Sequence, residues 1–550
     1  MYRRSGADSA DRARTLAAMH SGRRVTALLA ILLLLVAGCA RGGGQASDSE
    51  SGAAPGSDPA LVHTRSGILR GSVAADHRLF AGIPYAAAPV GPRRFSAPVP
   101  APGWSGERDA TRSGPRCIQD PAADPERGAN TAEDCLTLNV WTPPATGERR
   151  PVMVWIHGGA FVNGSSDIYD ARRLAALGDI VVVTVNYRLG TLGFLAHPDL
   201  GGGTDVGNYG FADQQAALRW VRDNIAAFGG DPEKVTVAGE SAGGMSVCDH
   251  LVAPGSAGLF RAAILMSAPC QAQGDLATAT RRSLEYAATI GCADPVRAAA
   301  CLRHLPVDSL RNPLWYYNIG SDDLAGPVTG TALIPRAPLA VFASGESAEV
   351  PVLIGTNHDE FTLFLALRYL VDGERYEPRD YPRLLDETFG PRSRAVADRY
   401  PLARYGGVAQ AYSAAVTDGE FACVSERMAT LLSDVGPVYA YEFNDRDAPA
   451  PEAMRTLPFP VGASHSLELR YLFDVGGAPP PNPAQRRLSE QMIGYWSAFV
   501  RDGDPAVDGQ PDWPEFDATR MSRMSLQSDG SRVNRDFSAE HQCPFWSGLG

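Results

Sequence analysis

Residues 235–244 constrain this chain more than any other stretch. Val235-Thr236-Val237-Ala238 is a short run of strand formers. It leads into Gly239-Glu240-Ser241-Ala242-Gly243, and Gly244-Met245-Ser246-Val247 follows with residues that open a helix. Gly-x-Ser-x-Gly in that setting predicts a strand turning sharply into a helix, with the serine at the tip. The turn forces strained backbone angles on Ser241. Gly239 and Gly243 stand where side chains would collide with the neighbouring strand and helix. The hydroxyl is thereby lifted clear of the sheet, and the helix start points its unpaired N–H groups at any developing negative charge. A chain with 57 glycines produces such a motif by chance. The strand before it and the helix after it are what make Ser241 a candidate nucleophile.

The 550 residues are 44% hydrophobic and 20% charged, enough for a large globular core. Net charge is −12, and Lys234 is the only lysine among 50 basic residues. No basic stripe supports nucleic-acid binding. At the N-terminus Arg23 and Arg24 precede an apolar run over 25–37 that is too short to span a bilayer. It closes with Val36-Ala37-Gly38-Cys39. Residues 1–38 therefore read as a secretory signal, with Met19 where such a signal would normally start. The small residues before Cys39 resemble a bacterial lipoprotein box, which implies a lipid on Cys39 as the first mature residue. Residues 39–58, rich in Gly, Ser and Asp, form a flexible tether. The expected location is the cell envelope, with the lipid as the only membrane contact; plain secretion is the alternative. Of the nine cysteines, the eight beyond Cys39 suggest disulfides in an oxidising compartment. No Cys-x-x-Cys or histidine cluster of zinc spacing occurs in the sequence, so neither metal nor cofactor is expected.

From 59 to 550 the pattern runs without a second linker or a repeat, so a single catalytic domain is expected despite the length. Short antiparallel strands are predicted over 61–73 and 79–81. Buried strands follow at 151–156, 179–185, 234–238, 261–266, 350–355 and 437–443. Amphipathic helices are predicted over 213–228 and 484–501. Residues 271–349 read as a largely helical insertion. Buried strands alternating with such helices predict a doubly wound, mostly parallel sheet with helices on both faces. Ligands of such sheets sit beyond the carboxyl ends of the strands.

A serine hydroxyl needs an adjacent base, and the base needs an orienting acid. The order after an elbow is serine, acid, histidine, which discards the histidines upstream of Ser241. His250 lies on the helix leaving the elbow, His304 precedes any acid loop, and His358 falls within that loop. His541, beside Cys543, reads as structural. His465, in the small-residue loop Val461-Gly462-Ala463-Ser464-His465-Ser466, remains. For the acid, Asp359 and Glu360 are adjacent at a strand end; one should face the site and the other solvent. His157-Gly158-Gly159 after a buried strand resembles a loop that completes an oxyanion hole. Its expected donors are the N–H groups of Gly158, Gly159 and Ala242, each contributing roughly 3–4 kcal/mol of barrier reduction.

Together these motifs resemble the type-B carboxylesterases, which include the cholinesterases and share the α/β-hydrolase fold. The resemblance rests on Phe80-Ala81-Gly82-Ile83-Pro84-Tyr85-Ala86, Glu133-Asp134-Cys135-Leu136-Thr137-Leu138-Asn139-Val140-Trp141 and His157-Gly158-Gly159-Ala160-Phe161. It continues through Asn186-Tyr187-Arg188, Gly207-Asn208-Tyr209-Gly210, 228–232 and the elbow to Pro544-Phe545-Trp546. It implies helical insertions over an active-site gorge, Glu360 rather than Asp359 as the acid, His465 as the base, and Ser267 as a serine near that acid. It also implies disulfides Cys117–Cys135, Cys292–Cys301 and Cys423–Cys543. Cys248 and Cys270 are left over; since helix and following strand both leave the elbow, they are predicted to form a fourth. Cholinesterases carry a cation-binding tryptophan in the first disulfide loop. Residues 118–132 hold no aromatic residue here, so the resemblance does not reach choline esters. Glu240 would favour cationic groups or stabilise protonated His465.

The expectation is a serine hydrolase acting on a small-molecule carboxylic ester through an acyl-enzyme, with no oligomeric state assigned. An inert adhesion relative is the competing reading, but it would have lost Ser241 or His465. Amide or carbamate hydrolysis by the same residues is the closer alternative.

Overall fold

The computed structural model describes residues 58–549 apart from 121–129, 146 and 321. The expected signal, the tether to residue 57 and Cys39 lie outside the described residues. An 11-stranded sheet organises the fold. Its strands in chain order are β1 (Ser72–Val73), β2 (Arg78–Pro84), β3 (Thr137–Thr142), β4 (Arg150–Ile156), β5 (Val181–Val185), β6 (Gly230–Glu240), β7 (Ala262–Met266), β8 (Val352–Asn357), β9 (Val438–Phe443), β10 (Arg523–Leu526) and β11 (Arg532–Asn534). Across the sheet they run β1-β2-β3-β5-β4-β6-β7-β8-β9-β10-β11. All neighbours from β5 to β10 are parallel, and the pairs at the two edges are antiparallel. The chain is thus an α/β-hydrolase fold built on a mixed sheet.

The central strands are apolar at nearly every position because both faces are covered. Alternate residues feed different cores. On β4, Val152, Val154 and Ile156 pack into one core, while Met153 and Trp155 pack into the other. On β8, Val352 and Ile354 face the first and Leu353 the second. The helices that matter for the site are α1 (Tyr209–Asn224), α2 (Ala242–Val252), α3 (Cys423–Ser433), α4 (Pro483–Asp502) and α5 (Cys543–Gly548). Helix α4 starts with a capping box between Asn482 and Gln485 and ends at Gly503, which has φ 78°. It lays Leu488, Met492, Trp496 and Phe499 on the second core. Helix α1 begins four residues before the predicted start, because Asn208 supplies a left-handed turn that periodicity does not reveal. Among its described residues the insertion after β7 also contains two short two-stranded ribbons, of two-residue and three-residue strands, besides its helices.

Among the described residues there are four disulfides: Cys117–Cys135, Cys248–Cys270, Cys292–Cys301 and Cys423–Cys543. The second joins α2 to the segment after β7, and the last fastens α5 to the start of α3.

Helix α2 packs closely where it crosses β4. A Cβ on Gly243 would stand 2.0 Å from the Ile156 carbonyl oxygen, and one on Gly239 would stand 2.4 Å from the Gly243 backbone. Neither obstacle is a flexible side chain. Gly243→Ala should therefore cost at least about 2 kcal/mol in urea unfolding. Wild-type stability in that variant would contradict this account of the elbow.

Candidate active site

Three central strands of the sheet deliver the candidate residues to its carboxyl edge. Strand β4 ends at His157-Gly158-Gly159, β6 ends at the elbow, and β8 is followed by the turn carrying Glu360. Ser241 has φ 57° and ψ −122°, a conformation costly for a residue with a side chain. Its N–H donates to the Met266 carbonyl at 2.9 Å, and its own carbonyl accepts from Met245 at 2.8 Å, so the strain is held from both sides.

The loop from 461 to 466 brings His465 over the same edge. His465 Nδ1 lies 2.5 Å from Glu360 Oε2. The other Glu360 oxygen accepts from Thr356 Oγ1 and from the Asn357 N–H, each at 2.7 Å. Glu360 is 0% exposed. Burial pushes its carboxyl pKa up, but His465 and these hydrogen bonds more than offset that and leave it lowered. Asp359 turns the other way, onto Arg446 at 2.7 and 2.9 Å. The β8 end thus separates the two acids as a turn must, one inward and one outward.

His465 Nε2 stands 3.1 Å from Glu240 Oε1, and the same Glu240 oxygen accepts from Ser466 Oγ at 2.6 Å. Nε2 makes no hydrogen bond of ordinary geometry, either to Ser241 or to another described residue. Such contacts are often long before substrate binds. Burial works to lower the imidazole pKa, yet Glu240 and then Glu360 outweigh it and raise it to about 9. The rings of Phe364 and Phe421 lie 5.4 and 5.6 Å from the imidazole and hold it in place. Ser267, with φ 50° and fully buried, lies beside Glu360 without ordinary hydrogen-bond geometry.

Sequence reasoning missed Glu468. It is fully buried, accepts from the Asn357 amide and belongs to the same charge cluster. Burial, then Glu240 and Glu360, push its carboxyl well above its ordinary value. The one available signal was its position three residues after His465, on the following helical turn.

Ser241, His465, Glu240, Gly158, Gly159 and Ala242 line one cavity, which encloses about 1390 Å³ with its open mouth included. A Cβ on Gly158 would meet Glu240 at 2.7 Å and Ser241 Cβ at 3.2 Å, so only glycine lets this loop pass so close to the elbow. Gly159, Ala160 and Phe161 all have positive φ, which turns the loop around the cavity. Above the serine the wall is mostly apolar, with Tyr169, Leu363, Leu367, Met454 and Leu469 besides the two phenylalanines. Gln119, just after Cys117, exchanges two 3.2 Å hydrogen bonds with Gly164 in that wall.

Away from the cavity, His358, Glu442 and His541 offer three ligand atoms within 4.8 Å of one another. They come from three distant parts of the chain, which is why spacing in the sequence gives no sign of them.

Residues 58–546 match the Carboxylesterase family. Cocaine esterase of Homo sapiens is 34% identical over 95% of this chain and 95% of its own length. Carboxylesterase 3B of Mus musculus is 35% identical over 80% of each chain. Acetylcholinesterase of Leptinotarsa decemlineata is 30% identical over 89% of this chain and 86% of its own length. With the fold, the elbow and the cavity in place, this chain belongs to the carboxylesterase family and is a carboxylic ester hydrolase.

Proposed function

We propose that Ser241, His465 and Glu360 form the catalytic triad, acting beneath the N–H groups of Gly158, Gly159 and Ala242. The observation that carries this reading is the 2.5 Å contact of His465 Nδ1 with buried Glu360, at the floor of the cavity Ser241 lines. His465 Nε2 takes the hydroxyl proton as Ser241 Oγ attacks the ester carbonyl. The tetrahedral oxyanion is held by the three amides. Collapse expels the alcohol, protonated by His465, and leaves an acyl-enzyme. Water, deprotonated by His465, then releases the acid and restores the serine. Glu360 fixes the tautomer and, with Glu240, stabilises the imidazolium. Ser267 supports Glu360.

The apolar wall favours esters whose acyl or alcohol group is a sizeable hydrocarbon, and Glu240 tolerates a cationic one. We further infer that residues 59–550 form one catalytic domain. The signal over 1–38 is removed, and a lipid on Cys39 holds the enzyme at the cell envelope through the tether. Among the described residues, no helix is long and apolar enough to cross a membrane. Fatty-acid labelling that persists in Cys39→Ser would contradict the anchor.

Ser241→Ala should lower kcat by at least about 10⁴-fold with unchanged thermal unfolding, and His465→Ala should lower it as much while also lowering the thermal midpoint, because it leaves Glu360 and Glu240 buried without their partner. Substantial turnover in either variant would overturn the assignment. Glu360→Gln should cost about 10³–10⁴-fold in kcat/KM, since the amide leaves the wrong tautomer without its partner.

A pH profile separates the two carboxylates beside the imidazole. Catalysis needs neutral His465, so kcat/KM should rise as pH increases through about 9. The stability contributed by the imidazolium runs oppositely: it is complete below the ordinary value of 6.5 and lost as pH rises through about 9. Glu240→Gln should move the activity midpoint down, because Glu240 is the largest influence keeping the proton on. An unmoved midpoint would mean that Glu240 has no such role.

A further inference from the structure

The cluster of His358, Glu442 and His541 lies outside the cavity, and the proposed mechanism does not use it. Glu442 is on β9 and His358 directly follows β8, while His541 stands in the turn before α5. His358 Nδ1 is 2.6 Å and His541 Nε2 2.9 Å from the same Glu442 oxygen, Oε1. The second oxygen, Oε2, is buried and has no hydrogen-bond partner among the described residues. The distal nitrogen of His541, Nδ1, is held at 2.5 Å by Asp418. A carboxylate on the far nitrogen of a histidine is the usual means of fixing a metal-binding imidazole in one tautomer and orientation.

Charge argues in the same direction. Asp418, Glu442 and Glu426 are buried carboxylates in this region, and buried Arg523 supplies one positive charge. Asp359, the other acid near His358, is answered by Arg446. Two further positive charges are needed to bury the remaining carboxylates without a large desolvation cost. Protons on the two imidazoles provide them; one divalent cation provides both at once.

We propose that His358, Glu442 and His541 bind one divalent transition-metal ion, with zinc the best match to two imidazoles and a carboxylate, and with Asp418 orienting His541. Ligand atoms around tetrahedral zinc stand about 3.3 Å apart, given bonds of about 2.0–2.1 Å. Each of the two contacts to Glu442 Oε1 therefore opens by less than about 1 Å as the imidazole protons leave. Glu442 Oε2 or a water completes the coordination. The His358 side chain is 26% exposed and gives the ion a way in. The metal takes no part in ester cleavage. It joins the tail to the ends of β8 and β9, beside the Cys423–Cys543 bond, and so clamps the turn that leads to Glu360.

The test uses the mature, disulfide-bonded enzyme, stripped with a chelator and then dialysed against Zn²⁺ at pH 8. Elemental analysis should find one zinc per chain, and the thermal midpoint should rise with zinc. His358→Ala, His541→Asn and Glu442→Gln should each lower occupancy at least tenfold and abolish the thermal shift. Asp418→Asn should weaken binding about tenfold or more. Cobalt substituted for zinc should give the visible absorption of a four-coordinate site. Wild-type enzyme that retains no zinc would overturn the proposal and leave the cluster as imidazolium–carboxylate pairs. Zinc undiminished by His358→Ala would also overturn it, by placing the ion elsewhere. His358 is the least buried of the three, so this variant keeps the test decisive if the other two do not fold.

Discussion

The imidazole of His465, buried between Glu360 and Glu240, is the interaction on which the site depends. A carboxylate taken out of water must be paired and hydrogen-bonded. Glu360 meets that condition with His465, Thr356 and the Asn357 N–H. Glu468 sits one helical turn beyond the histidine and accepts from the Asn357 side chain. Three acids thus share one base and one asparagine. Their arrangement fixes which ring nitrogen meets Glu360, and so leaves Nε2 as the atom beside Glu240.

Such a cluster needs a rigid frame, and the sheet provides it. Strands β4, β6 and β8 have side chains in two separate cores, which locks their register and therefore the height at which each ends. The strain at Ser241 is borne by hydrogen bonds from β7 and α2. Close approach of α2 to β4 demands glycine at 239 and 243, and the approach of the 157–159 loop to the elbow demands it at 158. Local strain persists here because everything around it is already packed. The disulfide between Cys248 and Cys270 ties the two elements that leave the elbow.

Much of this was legible in the sequence because it is local. The central strands are runs of apolar residues, the elbow is a contiguous motif, and α4 carries its own capping box. The sheet class follows from strands and helices in alternation. The acid was not legible from residue physics: Asp359 and Glu360 are neighbours of similar chemistry, and only the turn geometry after β8 sends one to His465 and the other to Arg446. The resemblance to a known family named Glu360 where periodicity was silent. Glu468, Phe421 and the His358–Glu442–His541 cluster were invisible for a different reason. Each gains its meaning from partners more than 40 residues away, and pattern reading within a window cannot see them. The start of α1 was misplaced because Asn208 initiates it through a left-handed backbone rather than a side-chain cap.

Mapping the adduct of a fluorophosphonate tests the convergence of these residues most directly, because only a serine activated by a neighbouring base reacts quickly. The account predicts one adduct per chain, on the peptide containing Ser241, with labelling lost when His465 is replaced by alanine. Label on another serine, or labelling of Ser241 undiminished by loss of His465, would contradict it.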